Sequence, residues 1–298
     1  MPTPRLSVVI PTRNRADDLR ACLAALVPQL PESAQLTVAN DGSTDHTQEV
    51  LDSFPRAKVL SLSGAGASAA RNAALTVSTG EIVLFLDDDV VATPGLVERH
   101  LDFHLQNPLV ESALVGLVTW DPRRKITGHM VWLEDGGPLF SFNTIADRRS
   151  VDPRHFCTAN VSLKRKLLER VSGPFNVQLP RFTDVELALR LAKVGMNLSY
   201  DENAVGWHLR ADTPASTDAR MFVVGQASVL LEEIHPGMAP EAASLGRVRH
   251  AKVLFAKALT PICESLPSRV AGRVWSARAA WAYAAGRADA ISAKASRG

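Results

Sequence analysis

Ile82-Val83-Leu84-Phe85-Leu86-Asp87-Asp88-Asp89 sets five consecutive apolar residues against three consecutive carboxylates. An apolar run of that length, opened by β-branched residues, reads as a strand buried on both faces. Such a strand is covered by helices on both sides, which predicts an α/β fold with a mostly parallel sheet. The carboxylates then stand at the carboxyl end of the strand, where open α/β sheets bind their ligands. Three adjacent carboxylates repel one another and lose hydration as they approach a core. A divalent cation relieves both costs, and oxygen ligands suit Mg2+ or Mn2+. The ordinary alternative is a solvated acidic turn, and the buried strand in front of it favours the metal.

Outward from this segment the same alternation recurs. Leu6–Ile10 is an apolar run that Pro11 is expected to stop, followed by leucines at helical spacing over Ala16–Leu30. Leu36–Ala39 predicts a second strand ending at Asn40-Asp41-Gly42, with Ser43 or Asp45 capping the next helix. Lys58–Leu62 predicts a third strand, Ala67–Val77 a helix, and Pro94 opens another helix after the acidic triplet. Thus Thr12–Arg15, Asn40–Asp45 and Asp87–Asp89 all fall at strand ends. Asp41 can present a carboxylate to the ring N–H of a base, or serve only a turn and helix cap. Arg71, in Ala70-Arg71-Asn72-Ala73, is either a surface arginine or a phosphate clamp.

Residues 121–155 carry Arg123-Arg124-Lys125, Gly136-Gly137-Pro138 and Arg148-Arg149 and read as loops over the site. Beyond them a strand is expected from Phe156 to Ser162, a helix over Lys164–Val171 and a strong helix over Thr183–Val194. Short strands over Leu198–Tyr200 and Ala204–Trp207 lead to His208, and past Thr217 the chain reads as helical, broken at Pro236, Pro240, Pro261 and Pro267. The expected division is residues 1–215 as the α/β domain and 216–298 as a helical extension.

Charge is uneven along the chain. Residues 1–238 hold 23 basic against 28 acidic side chains, whereas residues 239–298 hold 10 against 3, within a net charge of +2. The basic end includes Arg247, Arg249, Lys252, Lys257, Arg269, Arg273, Arg278 and Arg287, with Trp275, Trp281 and Tyr283 among them. Such helices suit peripheral membrane contact, a dimer surface or a solvated cap; no nucleic-acid module accompanies the charge. No apolar run approaches the roughly 20 residues of a membrane span, and the N-terminus lacks a signal-peptide pattern. A cytoplasmic protein, with a place at the inner membrane face left open, is the expectation. Cys22, Cys157 and Cys263 are too scattered for a zinc site or a disulfide framework and read as small hydrophobes.

Taken together, Ser7-Val8-Val9-Ile10-Pro11-Thr12-Arg13-Asn14-Arg15, Asn40-Asp41-Gly42-Ser43-Thr44-Asp45 and Asp87-Asp88-Asp89 resemble the family 2 glycosyltransferases of the GT-A fold, in order and spacing. Ala70-Arg71-Asn72-Ala73 falls between the second and third motifs as in that family. Thr158-Ala159-Asn160-Val161-Ser162-Leu163 resembles its acceptor-side strand, and Thr183-Asp184-Val185-Glu186-Leu187 its catalytic-base helix. The resemblance covers roughly residues 5–210. It implies an inverting transferase that moves a sugar from a nucleotide-diphosphate donor, most often UDP-linked, to a carbohydrate, lipid-linked or small-molecule acceptor. Pro11, Thr12 and Asp41 would line the nucleotide-base pocket, with Arg13 and Arg71 at the donor and Asp88 near the ribose and sugar. Asp89 and His208 would hold the cation. Asp184 would be the general base, and Asn160 and Thr183 would lie on the acceptor side; were Asp184 excluded as base, Glu186 on the same helix is the next candidate. Thr183-Asp184 stands where the family usually has two acidic residues, and Asn40 replaces a frequent aspartate.

Rival readings differ in their first loop. A sugar-nucleotide nucleotidyltransferase carries a glycine-rich loop after strand one, and Pro11–Arg15 contains no glycine. A receiver-type signalling domain carries acidic residues there, where this chain has arginines. A relic that binds nucleotide sugar without turnover is opposed by the presence of Asp89, Asp184 and His208.

Overall fold

In the computed structural model, residues 5–238, 263 and 265–296 are described. They fall into two units. The first is formed by 5–124, 144–177 and 184–210; the second by 125–143, 178–183 and the described residues from 211 onward.

The first unit is built on one eight-stranded sheet: β1 (Leu6–Thr12), β2 (Gln35–Asp41), β3 (Ala57–Leu62), β4 (Ile82–Leu86), β5 (Val90–Ala92), β6 (Ser112–Trp120), β7 (Asn160–Lys164) and β8 (Asn197–His208). Its order is β3-β2-β1-β4-β7-β6-β8-β5. The β3-β2-β1-β4 half is parallel, as expected. The other half is mixed: β7 runs antiparallel to β4 and β6, β6 and β8 are parallel, and β5 is antiparallel to β8. Every residue of β1 and β4 is buried, which accounts for their unbroken apolar sequence, whereas edge strand β3 exposes Lys58 and Ser61.

Several boundaries depart from the sequence reading. Strand β1 runs through Pro11 to Thr12. The β4 register ends at Val9, so at Pro11 the strand is paired on the β2 side alone and tolerates a residue without an N–H. The strand expected from Phe156 begins only at Asn160, and the two short strands before His208 are one continuous strand. Strands β5 and β6 were not anticipated. The three residues of β5 are too few to show a period, yet their pairing with β8 aligns Val90 with His208.

Helices α1 (Ala16–Leu26), α2 (Thr47–Asp52), α3 (Ala67–Val77) and α4 (Leu96–Gln106) follow β1, β2, β3 and β5. Asp45 rather than Ser43 satisfies the start of α2, accepting from Thr47 N at 3.1 Å; Ser43 Oγ accepts from Asn14 N at 2.9 Å. Cys22 is buried in the core of this unit, where desolvation holds its thiol well above the usual range.

The second unit contains α5 (Gly128–Asp135), within the stretch expected to be loop. The short α6 (Arg165–Leu168) and α7 (Thr183–Lys193), Thr183 apart, belong to the first unit, and the second continues with α8 (Pro214–Ile234) and α9 (Ser268–Ala295). Helix α8 starts with a Thr213/Ser216 capping box. It packs so closely on α9 that a Cβ on Gly225 would stand 2.1 Å from Tyr283 O, and one on Gly286 1.9 Å from Phe222 O. This pairing engages part of the basic character read from the sequence, and packing within the unit covers two of its aromatic rings. Arg278 bonds Asp218 at 2.6 Å, Arg287 bonds Ser228 at 2.8 Å, Lys294 pairs with Glu233, and Trp275 and Tyr283 are buried. Arg269 and Arg273 are exposed. Pro240, Arg247, Arg249, Lys252, Lys257 and Pro261 lie outside the described residues. Among the described residues no helix is long and apolar enough to cross a membrane.

Candidate active site

Strand direction brings the polar clusters to one rim. Strands β1, β2 and β4 are mutually parallel, and two antiparallel steps through β7 and β6 return β8 to the same direction. The carboxyl ends of β1, β2, β4 and β8 therefore open on the same side, carrying Thr12, Asp41, the Asp87–Asp89 triplet and His208. Leu209 N donates to Asp89 O at 2.8 Å, fixing His208 beside the triplet.

Each aspartate of the triplet is paired with a cationic side chain, Asp87 with Arg71 and Asp88 and Asp89 with Arg15. Asp87 Oδ1 accepts from Arg71 Nη2 at 2.6 Å. Arg71 is held in turn by the Phe175 ring, 5.6 Å from its guanidinium carbon, and Phe175 is tied to α3 by two hydrogen bonds with the Asn72 amide, at 2.8 and 3.0 Å. Arg15 Nη1 lies 3.3 Å from Asp88 Oδ1 and also bonds Asp89 Oδ2. His208 Nε2 stands 3.5 Å from the same Asp89 Oδ2, its ring packed on Trp120.

The three carboxyls respond differently. Burial pushes Asp87 up against the opposing pull of Arg71, and pushes Asp88 up to about 7 despite Arg15. At Asp89 burial is outweighed by His208 and Arg15, and the carboxyl falls below the usual range. Asp89 is thus ionised at neutral pH and shares a point of convergence with an imidazole nitrogen. A carboxylate oxygen and an imidazole at that separation fit two positions of a Mn2+-like coordination shell. Among the described residues no third His, Cys, Asp or Glu joins them, so further ligands would be substrate or water oxygens.

Asp41 is committed to the loop after β3. Its Oδ1 accepts from Gly64 N at 3.1 Å and Ala65 N at 2.7 Å, and its Oδ2 from Gly66 N at 2.7 Å. Gly64 and Gly66 have φ of +87° and +91°, which turns successive N–H groups toward one carboxylate. The Arg13 guanidinium lies over Gly64, 3.5 Å from where a Cβ would stand. Asn14 ties this rim together, accepting from Thr44 N at 2.7 Å. Thr12 is buried at the end of β1, its hydroxyl beside Asp88.

Asp184 sits in the first turn of α7, and its charge is felt at Arg71, Asp87 and Cys157. Thr158 donates its N–H and its hydroxyl to Asp184 Oδ2, each at 2.9 Å. Thr183, the first residue of α7, belongs to the second unit. Glu186 is buried and spent on a two-pronged pair with Arg190, both contacts at 2.8 Å.

Asn160 faces the interior of the sheet. Its Nδ2 donates to Leu117 O at 3.2 Å and Ala204 O at 2.8 Å, which orients the amide. Its Oδ1 therefore accepts from His100 Nε2 at 2.8 Å, leaving His100 Nδ1 to accept from Ser162 Oγ at 2.8 Å. Ser162 Oγ then accepts from His104 Nε2 at 2.9 Å. Burial holds both imidazoles below the usual range and so neutral, and Asn160 is fully buried.

Arg15, Thr158 and Phe175 were not singled out as individual site residues. Arg15 was legible only as part of the loop after β1 and Thr158 only as the first residue of the Thr158–Leu163 motif, and Phe175 carries no local signal.

A family model described as Glycosyl transferase family 2 matches residues 7–172, more than half of the chain. The chain belongs to this family. The Escherichia coli glycosyltransferase YibD, itself uncharacterised, is 36% identical over 111 residues, 36% of this chain and 32% of that protein. Validoxylamine A glucosyltransferase of Streptomyces hygroscopicus subsp. limoneus is 27% identical over 268 residues, 80% of this chain and 58% of that protein. The chain thus spans about a third and just under three fifths of these curated relatives. Among solved structures, the mannosyltransferase PcManGT of Pyrobaculum calidifontis, in complex with GDP-Man and Mn2+, matches with a TM-score of 0.61 at 20% identity, over 98% of this chain and 79% of that one. S. aureus TarS 1-349 in complex with UDP-GlcNAc matches at 0.59 and 16% identity, over 98% and 92%. These likenesses show a GT-A fold for this family 2 member, and the receiver and nucleotidyltransferase readings fall away.

Proposed function

We propose that the chain is an inverting glycosyltransferase that uses a nucleoside-diphosphate sugar, a UDP-sugar in the first instance, and transfers the sugar to an acceptor hydroxyl. The observation that carries the reading is the convergence of Asp89 and His208 at the ends of two strands, with Arg71 and the Asp184 helix at the same rim. A divalent cation, Mn2+ or Mg2+, held by Asp89 and His208 supplies Lewis-acid stabilisation of the charge that develops on the diphosphate. Arg71, already clamped by Asp87 and Phe175, presents a guanidinium of fixed direction to donor phosphates. Asp41, with its loop from Gly64 to Gly66, and Pro11, Thr12 and Arg13 would frame the nucleoside, and Asp88 the ribose and sugar. Asp184, oriented by Thr158, accepts the proton of the acceptor hydroxyl. The acceptor oxygen, deprotonated by Asp184 on the face opposite the leaving diphosphate, would bond to the anomeric carbon as the bond to the diphosphate breaks, hence inversion there.

Thermal shift against a panel of UDP-, GDP- and dTDP-sugars, with Mn2+ or with EDTA, tests the reading, because a ligand that binds only the folded state raises Tm by mass action. One donor should stand out and only with metal, and its product should carry the inverted anomer by NMR. Metal-independent stabilisation, or a retained anomer, would overturn it.

A further inference from the structure

Arg15 and His208 converge on one oxygen. Arg15 Nη1 bonds Asp89 Oδ2 and reaches Asp88 Oδ1, while His208 Nε2 stands 3.5 Å from that same Asp89 oxygen. An ion set between His208 Nε2 and Asp89 Oδ2 meets the oxygen that already accepts from the guanidinium, and a dication repels a guanidinium at such range. The two therefore compete for Asp89. The Asp88 and Asp89 side chains are 8% and 5% exposed, whereas Arg15 is 33% exposed. The arginine therefore reaches in from water and can return to it, while the carboxylates cannot. Arg15 also occupies the N-cap position of α1 without any side-chain bond to the helix, so the helix start does not depend on its guanidinium.

We propose that Arg15 is an intramolecular competitor of the divalent cation: it neutralises Asp88 and Asp89 in the metal-free protein and releases them when the ion loads. This rests on the assignment of Asp89 and His208 as ion ligands. Two consequences follow from the charges. Ion affinity in the absence of donor is held down, because the ion must displace a bound cation. A diphosphate offers the released guanidinium a new anionic partner, so donor and ion favour each other's binding beyond their direct contact.

The test is Mn2+ binding to the full chain, read from the electron paramagnetic resonance signal of free Mn2+, with and without UDP. Wild type is compared with Arg15→Gln, Arg15→Lys and Asp89→Ala. Without UDP, Arg15→Gln should bind Mn2+ about tenfold more tightly than wild type, inside the range of roughly 5–150-fold common for coupled sites. Arg15→Lys, which keeps the charge, should stay near wild type. UDP should tighten Mn2+ binding by a smaller factor in Arg15→Gln than in wild type. Equal Mn2+ affinities in wild type and a folded Arg15→Gln would overturn the proposal. Should Arg15→Gln unfold in EDTA, recovery of its structure on adding Mn2+ supports the competitor role, and failure to recover overturns it. Mn2+ binding that Asp89→Ala leaves intact instead sinks the ion site itself, which separates the two failures.

Discussion

Thr158 fixes Asp184 through two hydrogen bonds to a single carboxylate oxygen, one from its N–H and one from its hydroxyl, each at 2.9 Å. The pair links the turn just before β7 to the first turn of α7. It orients a carboxylate in the first turn of that helix. Glu186, two residues on, is paired through both its carboxylate oxygens with Arg190.

Asp184→Asn should lower turnover by about 10²–10⁴, the usual cost of losing general-base help. Donor affinity measured on the same preparation should stay within a factor of about two, since the donor contacts are assigned to other residues. Thr158→Val should lower kcat by a smaller factor with donor KM unchanged, and Thr158→Ser should recover most of it. Wild-type turnover in Asp184→Asn would remove Asp184 as base.

Arg71→Met should destabilise the protein by about 1–3 kcal/mol, because it leaves Asp87 without its charged partner. The Asp87 side chain keeps 32% of its surface in water, which places the expected loss toward the lower end. Arg71→Lys keeps the charge but not the planar stack on Phe175 and should fall between the two. Urea denaturation midpoints at constant m-value measure the difference.

Protonation of the His100–His104 network sets an acid limit. Desolvation holds the two rings down to about 4 and about 3, against an ordinary value of 6.5. Between pH 6.5 and about 4 the unfolded chain therefore takes up protons that the native state refuses, and stability falls as pH falls. Above pH 6.5 the contribution is fully present. Tm followed from pH 7.5 to 4.5 should drop across this window, and His104→Gln should flatten the slope by one proton's share. An unchanged slope in that variant would count against the assignment.

Gly286→Ala should separate α8 from α9, because its Cβ would fall 1.9 Å from Phe222 O with backbone on both sides of the contact. Overpacking of this kind typically costs about 1–3 kcal/mol or more. The exposed neighbour Ala284→Ser is the control and should leave Tm within a degree or two, as surface substitutions usually do.

Local pattern was enough to reveal the parallel half of the sheet, the rim that it forms and most of the residues on that rim. The apolar runs of β1 and β4 are continuous because both their faces are covered, and that condition is written residue by residue into Leu6–Ile10 and Ile82–Leu86. A motif such as Asp87-Asp88-Asp89 is legible for the same reason: its oddity, three like charges at the end of a buried strand, is local. Tertiary structure alone decided the rest. That Asp89 meets His208 depends on the antiparallel return of β5 along β8, a register between distant segments that no local period encodes. The neutral His100–Asn160–Ser162–His104 chain exists only because α4 lies against β7, and it ties the buried side chain of Asn160 to that helix. Arg15, written in the sequence as one basic residue among several in a loop, becomes the counter-ion of Asp88 and Asp89 only when β1 and β4 lie side by side. Periodicity reports which face of an element is buried, whereas charge pairing depends on which elements are neighbours, and only the folded chain settles that.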